Sequence, residues 1–358
     1  MNPENRVMIA MSGGVDSSVA AYIMKSRGFD CIGATLKLYS NEDIQLDRNK
    51  TCCSLSDVED ARSVANRLGI PYYVFNFSDN FREKVIGRFI DTYRSGGTPN
   101  PCIDCNRYIK FNQLLTRAEL MECGHIATGH YARVEFDEMK GRWLLKRAAD
   151  TNKDQTYVLW ALTQNQLSHT FFPLGNLTKP EVRKIAEAEN FLNAEKPDSQ
   201  DICFVPDGDY ARFIESYTGE KSLPGDFISE GKKVGTHKGI IHYTLGQRKK
   251  LGISLGHQIY VTGIDPEKNT VTLGDEPELF CRSLDAHDIN LIAYEQITEP
   301  LRVTAKVRYS HKEAPATLTQ TADDSIHIEF DEPQRAITRG QSVVVYDGDT
   351  VVCGGIIN

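Results

Sequence analysis

The chain has 358 residues, 40% hydrophobic and 25% charged, with a formal net charge of −8. That length predicts two or three domains with real cores, and the acidic balance excludes indiscriminate binding to polyanions while leaving room for a local basic patch. Residues 1–6 lack the apolar region of a signal peptide and no apolar run is long enough to span a bilayer, so a cytoplasmic protein is expected. Nine cysteines, an odd number, argue against a disulfide framework and for reactive thiols, metal ligands or plain core positions.

Residues 6–10 read as a buried strand that runs into Met11-Ser-Gly-Gly-Val-Asp-Ser-Ser18 and then a helix with Val15, Val19, Ile23 and Met24 on one stripe. Glycines at 13 and 14 can take positive φ and let main-chain N–H groups approach an anion, which the helix N-terminus also attracts. Ser12, Ser17 and Ser18 add hydroxyl donors, and Asp16 is suited to hold Mg²⁺. No lysine follows the glycines, so this is not a Walker-type loop. Gly28 ends the helix, Cys31 to Leu38 is a second strand, and Ser54 to Leu68 a helix ended by Gly69. Tyr72 to Asn76 is a third strand, after which Asp79 is read as the cap of a helix carrying Phe81, Val85, Phe89 and Tyr93. Alternating strands and helices predict a mostly parallel sheet with ligands at the strands' carboxyl ends.

Residues 97–111 form an extended, proline-held loop with Cys102 and Cys105 before a helix, where Arg107 and Lys110 would favour a thiolate. His125 to Tyr131 reads as a strand ending in Gly129, whose missing side chain suits close approach to a nucleotide; His130 either touches substrate or serves as a structural hydrogen-bonder. Residues 133–148 look like a hairpin insertion, and Thr178 to Ala186 starts as a capped helix. Cys203 sits among polar neighbours and reads as reachable. From about residue 207 glycines break the chain into short strands, at 240–244, 258–262 and 270–273, around a basic segment, 244–253, that is either a solvated face or a phosphate grip. Residues 301–357 alternate in short strands that suit a small β-barrel. Cys31, Cys123, Cys281 and Cys353 are expected at core or near-core positions, and Cys52 and Cys53 have no assigned role.

The ordered set Ser12-Gly-Gly-Val-Asp-Ser17, Thr98-Pro-Asn-Pro101 with Cys105-Asn106, Ala127-Thr-Gly-His-Tyr131, Lys153-Asp-Gln155, Ile202-Cys-Phe204, Gly246-Gln-Arg-Lys249 and Gly340-Gln-Ser342 resembles the bacterial tRNA-specific 2-thiouridylases along nearly the whole chain. Its first motif resembles the pyrophosphate loop, or PP-loop, of ATP pyrophosphatases. The resemblance implies an α/β, parallel-sheet PP-loop ATP pyrophosphatase domain over 1–206, a central β-rich domain over 207–283, and a C-terminal small β-barrel over 284–358 that binds tRNA. It implies replacement of the C2 oxygen of the wobble uridine by sulfur: O2 is adenylated by ATP with Mg²⁺, then sulfur is transferred from a persulfide. By the family pattern Cys203 carries the persulfide and Cys105 is the second catalytic thiol, the two ending as a Cys105–Cys203 disulfide.

The same resemblance gives nucleotide contacts to Ala10, Met11, Ser12, Gly13, Gly14, Val15, Asp16, Ser17, Leu36 and Gly129. It gives base contacts to Asn100, Pro101 and Cys102, and tRNA contacts to His130, Lys153, Asp154, Gln155, Arg308, Tyr309 and Gln341. The implied partners are tRNA and a cysteine desulfurase or sulfur-relay protein as persulfide donor, with no membrane and nothing that demands more than a monomer. Many family members have aspartate where this chain has Cys102. If that aspartate assists proton transfer in those relatives, the role here is vacant, or is taken by Asp104 or by a thiolate at 102. Cys102, Cys105 and Cys203 also form a candidate three-thiolate set for an iron–sulfur cluster. The alternatives from other classes are a nitrogen-transferring ATP pyrophosphatase and a tRNA-binding module whose ATP site only drives a conformational change.

Overall fold

The structure is a computed structural model that describes residues 3–39, 55–197 and 202–358; Cys52 and Cys53 lie outside the described residues. The first part follows the order β1 (Arg6–Ala10), α1 (Val15–Ser26), β2 (Asp30–Lys37), α2 (Leu55–Leu68) and β3 (Tyr72–Asn76). A helical run then joins α3 (Ser78–Phe81), a π segment (Arg82–Gly87) and α4 (Arg88–Arg94), and a second run joins α5 (Pro101–Asp104), a π segment (Cys105–Gln113) and α6 (Leu114–Leu120). After these come β4 (His125–Ala127), the hairpin β5 (Arg133–Asp137) and β6 (Arg142–Lys146), α7 (Gln164–Ser168), β7 (Thr170–Phe171), α8 (Lys179–Ala188) and α9 (Tyr210–Thr218).

The five strands of the first sheet are parallel, in the order β3-β2-β1-β4-β7. From Val7 on β1 is apolar because both its faces are covered: Met8 packs into one core cluster, Val7 and Ile9 into the other. The chain winds outward from β1 to β3 and then crosses back to place β4 on the other side, so the carboxyl end of β1 is a topological switch point. The glycine-serine loop sits there. Asp79 is not a helix cap. Asn76, at the end of β3, accepts the Ser78 N–H at 3.1 Å, and Asp79 instead pairs with Arg82 in the exposed first turn.

The central sheet comprises β8 (Gly225–Ser229), β9 (Lys232–His237), β10 (Tyr260–Asp265) and β11 (Thr270–Gly274) in the order β10-β11-β8-β9. The strand expected at 240–244 is a short 3-10 turn, Ile240–His242; its apolar residues Ile241 and Tyr243 are buried as plugs rather than as a ladder. The third part is β12 (Phe280–Leu291), β13 (Leu301–Lys306), β14 (Ala314–Ala322), β15 (Ser325–Arg335), β16 (Ser342–Asp347) and β17 (Thr350–Ile357). Their order β12-β15-β14-β13-β16-β17 closes through a β12–β17 pairing into a six-stranded barrel, with β12 running across residue 283. Closure removes the open edges that would otherwise invite another chain. Cys353 is buried inside it, but Cys281 is exposed on β12, not a core residue.

The β5–β6 hairpin does not return to its own sheet; Lys146 pairs with Thr350 at the barrel's edge. One core cluster spans both parts, with Trp160, Tyr157 and Phe111 from the α/β domain packed together with Ile292, Val344, Tyr346 and Val351. Asn290 secures the seam by donating to the carbonyls of Trp160 (2.7 Å) and Leu162 (2.8 Å). Among the described residues no helix is long and apolar enough to cross a membrane.

Candidate active site

The phosphate loop is shaped mostly by contacts with itself. Gly13 alone of the two glycines takes positive φ, +77°, while Gly14 is extended (φ −88°) and caps α1. A Cβ on Gly13 would meet the Asp57 carbonyl at 2.3 Å, so only glycine fits. The Ser17 and Ser18 hydroxyls are not left for a ligand, because both donate to the Gly14 carbonyl (3.0 and 3.1 Å); Ser17 also accepts the Ser12 N–H at 3.2 Å. Ser12 is exposed at the rim, above an α1 N-terminus whose first N–H groups have no partner within the helix. The turn forms a cradle at the N-terminus of α1, flanked in the chain by Ala10 and by the buried Met11 and Val15. Leu36 lines the neighbouring strand, half-buried, between two core clusters.

Gly129 is glycine for a different reason than expected. A Cβ there would lie 2.7 Å from the Ser17 nitrogen and 2.8 Å from the Asp16 carbonyl carbon, so its close approach is to the N-terminal turn of α1. Asp16, expected to hold Mg²⁺, gives both carboxylate oxygens to Lys179 Nζ at 2.8 Å and accepts the Tyr131 hydroxyl at 2.7 Å. The side chains present therefore offer no preformed cage for a divalent ion at Asp16. They offer a buried ammonium beside the cradle instead.

Three residues of this site escaped the sequence reading: Lys179, Asn193 and Lys196. The Asn193 amide donates to the Gly13 carbonyl and to Ser18 Oγ, both at 2.9 Å, and Lys196 bridges Asp57 (2.6 Å) and Asp60 (2.7 Å) while reaching Gly13 at 3.4 Å. A loop with no lysine of its own is thus served by lysines more than 160 positions away. Thr178-Lys-Pro-Glu was legible as a helix start, and the Glu181 carboxylate does accept the Thr178 N–H at 2.7 Å. Nothing local pointed Lys179 at Asp16.

The second reactive element begins at Asn100. Its side chain accepts the Cys102 N–H at 3.2 Å and Pro101 fills the first helical position, so Asn-Pro is a helix start and both cysteines lie inside the helix, not before it. Cys102 is exposed at the second position, whereas Cys105 is buried. Burial pushes the Cys105 thiol up to about 11 against the pull of Lys110, which overturns the expectation of a favoured thiolate there. Arg107 does not help, because its guanidinium makes a bidentate pair with Asp288 of β12. Asp104, the last residue of α5, is half-buried against Arg88 (3.1 Å), and desolvation raises its carboxyl to about 6 despite that partner.

Cys105 and Cys203 belong to one packed cluster, with Phe81, Phe89, Ile109 and Phe204 at its centre. Cys203 is half-buried, and its carbonyl accepts the Tyr39 hydroxyl at 2.8 Å. Among the described residues no three His, Cys, Asp or Glu side chains converge as metal ligands, so Cys102, Cys105 and Cys203 do not form a cluster site in this conformation.

The remaining candidates surround the helix. His130 is buried against Phe111 and Phe172 with Nδ1 2.8 Å from Thr128 Oγ1, and burial followed by the charge of Lys110 holds it neutral, well below the usual histidine range. Asp154 accepts from Ala148 N–H (2.9 Å) and Thr156 Oγ1 (2.6 Å), and Gln155 pairs both ways with the Tyr131 backbone at 2.9 Å. Lys153 is half-exposed beside them. Tyr309 is 45% exposed, within electrostatic reach of Asp154, Lys153 and Cys102. Lys306, buried enough to lower its basicity, lies between the rings of Tyr157 and Tyr309. Arg308 donates to the carbonyls of Leu245 and Ala336 at 3.3 Å. Gln341 is buried and donates to the carbonyls of Thr98 (2.8 Å) and Pro99 (3.2 Å).

Three family profiles match the chain: "tRNA methyl transferase HUP domain" over residues 5–207, "tRNA methyl transferase PRC-barrel domain" over 211–275, and "Aminomethyltransferase beta-barrel domain" over 281–357. Curated relatives match end to end. The "tRNA-specific 2-thiouridylase MnmA" of Clostridioides difficile (strain 630) is 53% identical over 353 residues, covering 98% of each chain. Another of that name, from Acetivibrio thermocellus, is 53% identical over 356 residues, covering 99% of each, and "tRNA-specific 2-thiouridylase MnmA 1" of Thermoanaerobacter sp. (strain X514) is 53% identical over 359 residues, covering 100% of this chain and 99% of the relative. A solved 4-thiouridine synthetase bound to RNA and ATP is 17% identical with a TM-score of 0.37, over 60% of this chain and 53% of the other, too slight a likeness to carry weight.

Proposed function

The chain belongs to the tRNA-specific 2-thiouridylase family, and on that premise we propose that it thiolates the wobble uridine of tRNA at C2, using ATP to activate the base and a persulfide to deliver sulfur. The profile names that mention methyl transfer carry less weight than full-length relatives at half identity. ATP seats its polyphosphate on residues 10–17, against Leu36 and the Gly129 turn, with Lys179 supplying positive charge. O2 of the uridine attacks the α phosphorus, pyrophosphate leaves, and C2 becomes electrophilic. The terminal sulfur of a persulfide on Cys203 then attacks C2 and AMP departs with the former O2. The Cys105 thiolate attacks the inner sulfur, releasing 2-thiouridine and leaving a Cys105–Cys203 disulfide, which a dithiol must reduce before the next turnover. Asn100, Pro101 and Cys102 border the flipped base, and Lys153 with Arg308 and Tyr309 hold the RNA.

What supports this reading is that Cys105 and Cys203, 98 positions apart, share one cluster beside the phosphate-loop sheet. Mg²⁺ would arrive with the nucleotide and neutralise charge on its phosphates. In the cell the protein works in the cytoplasm as a monomer, taking its persulfide from a cysteine desulfurase or a relay protein.

The test is mass spectrometry of wobble nucleosides after anaerobic incubation of the protein with unmodified tRNA, ATP and a persulfide or sulfide donor. The expected outcome is 2-thiouridine formed with one AMP and one pyrophosphate per base. ATP hydrolysis without a thiolated base, or product that is indifferent to loss of Cys105 and Cys203, would end the proposal.

A further inference from the structure

The segment that carries Asn100, Cys102 and Cys105 is gripped by the two domains to which it does not belong. A Cβ on Gly96 would lie 3.1 Å from Ile264 of the central sheet, and one on Gly97 would lie 3.0 Å from the Arg339 carbonyl of the barrel. The Thr98 N–H donates to that Arg339 carbonyl at 2.8 Å. Gly340, at φ +83°, has room for no side chain against Thr92 and Thr98. Gln341 completes the grip through its amide, whose Nε2 holds the carbonyls of Thr98 and Pro99.

Gln341 is itself fixed. Its N–H donates to Thr338 (3.2 Å), and its carbonyl accepts the Ile357 N–H at 2.8 Å. The two carbonyls it holds immediately precede Asn100, which caps the helix of the two thiols. Pro99 and Pro101 lock their own φ angles, so a shift at Thr98 is passed along the chain rather than absorbed.

We propose that Gln341 is a positioning residue for thiolation: through its amide the barrel sets where the thiol helix begins, and so where Cys102 and Cys105 stand relative to the base. The proposal rests on the thiolation reading above, and it gives the Gln341 Nε2 donors a role on the loop, separate from any contact with tRNA. The barrel is then part of the catalytic frame as well as a handle for RNA.

Two variants test it. Gln341→Met keeps the volume and removes the donors, and Gln341→Glu sets a carboxylate against two carbonyls; if the second fails to fold, the first carries the test. Under saturating ATP and tRNA, kcat for thiolation is expected to fall roughly 10- to 100-fold, because misplacing a reacting group by about 1 Å costs that much. The tRNA Kd from filter binding is expected to stay within about twofold of the parent. Iodoacetamide should label Cys105 several-fold faster, while Cys353 inside the barrel stays protected and reports an intact fold. A weakened tRNA Kd with unchanged kcat would make Gln341 an RNA contact and overturn the proposal, as would unchanged Cys105 labelling. If the parent protein yields no 2-thiouridine at all, the thiolation reading fails, and the labelling of Cys105 still decides whether Gln341 positions the loop.

Discussion

The phosphate loop and the thiol helix are both reactive elements of one α/β domain, yet they are held in opposite ways. The loop is prepared: its hydroxyls satisfy its own carbonyl, Gly129 presses against its helix, and Lys179 stands beside it on Asp16. The thiol helix is not prepared, since Cys105 is buried with its thiol pushed up to about 11 and its approach loop is anchored by the barrel. In the mechanism proposed above, activation of the base would start on a rigid platform, while sulfur transfer would need a rearrangement that exposes Cys105 or brings positive charge to it. The ordering protects the chemistry, because a thiolate formed before the base is activated would react elsewhere.

The sharpest way to break this contrast is to remove the thiols. Cys105→Ser or Cys203→Ser should lower 2-thiouridine formation on the order of a thousandfold or more, while tRNA-dependent pyrophosphate release, followed by a coupled assay, persists. Loss of both activities together would mean that the two elements are not separable. Next in size, Lys179→Ala should weaken ATP binding by roughly 10- to 100-fold, the loss of a charge-assisted contact of about 1.5–3 kcal/mol. Calorimetric titration of ATP measures this, with Lys179→Arg expected to recover part of it.

Gly129→Ala drives a Cβ into the Ser17 nitrogen and should cost about 1–3 kcal/mol of stability, read as a lower Tm, together with weaker ATP binding. The smallest effect concerns Asp104. Its folded pKa is raised, to about 6, so the native state keeps a proton that the unfolded chain has lost. Stability from this group is therefore present below the usual carboxylate range, falls as pH rises toward about 6, and is level above. Asp104→Asn should flatten that slope, read in denaturant titrations across that pH window.

How much of this was legible in the chain depends on range. β1, the glycine turn, α1 and the apolar stripe Phe81, Val85, Phe89 and Tyr93 were readable because each is fixed by neighbours within a few residues, and all four of those stripe residues are buried. Asn100-Pro101 was equally local, but its prolines were read as an extended loop when the pair is a helix cap followed by a first-turn proline. Residues 240–244 have the composition of a strand and lack a partner to pair with. Lys179, Asn193 and Lys196 were out of reach, because what makes them part of the site is a crossover that brings 178–196 beside residues 12–18. The pKa of Cys105 was misjudged for the same reason: charged neighbours can be counted in a sequence, but burial by Phe204 and Ile109 cannot.

The ring of Trp160 lies so close to the barrel that a side chain on Gly354 would overlap it, at 2.5 Å. Two bodies joined by an indole pressed onto a bare strand have no hinge between them. They should melt in one cooperative step in calorimetry. On the proposed function, entry and release of the RNA would then fall to the short segments around the thiols, and loop motion would pace turnover.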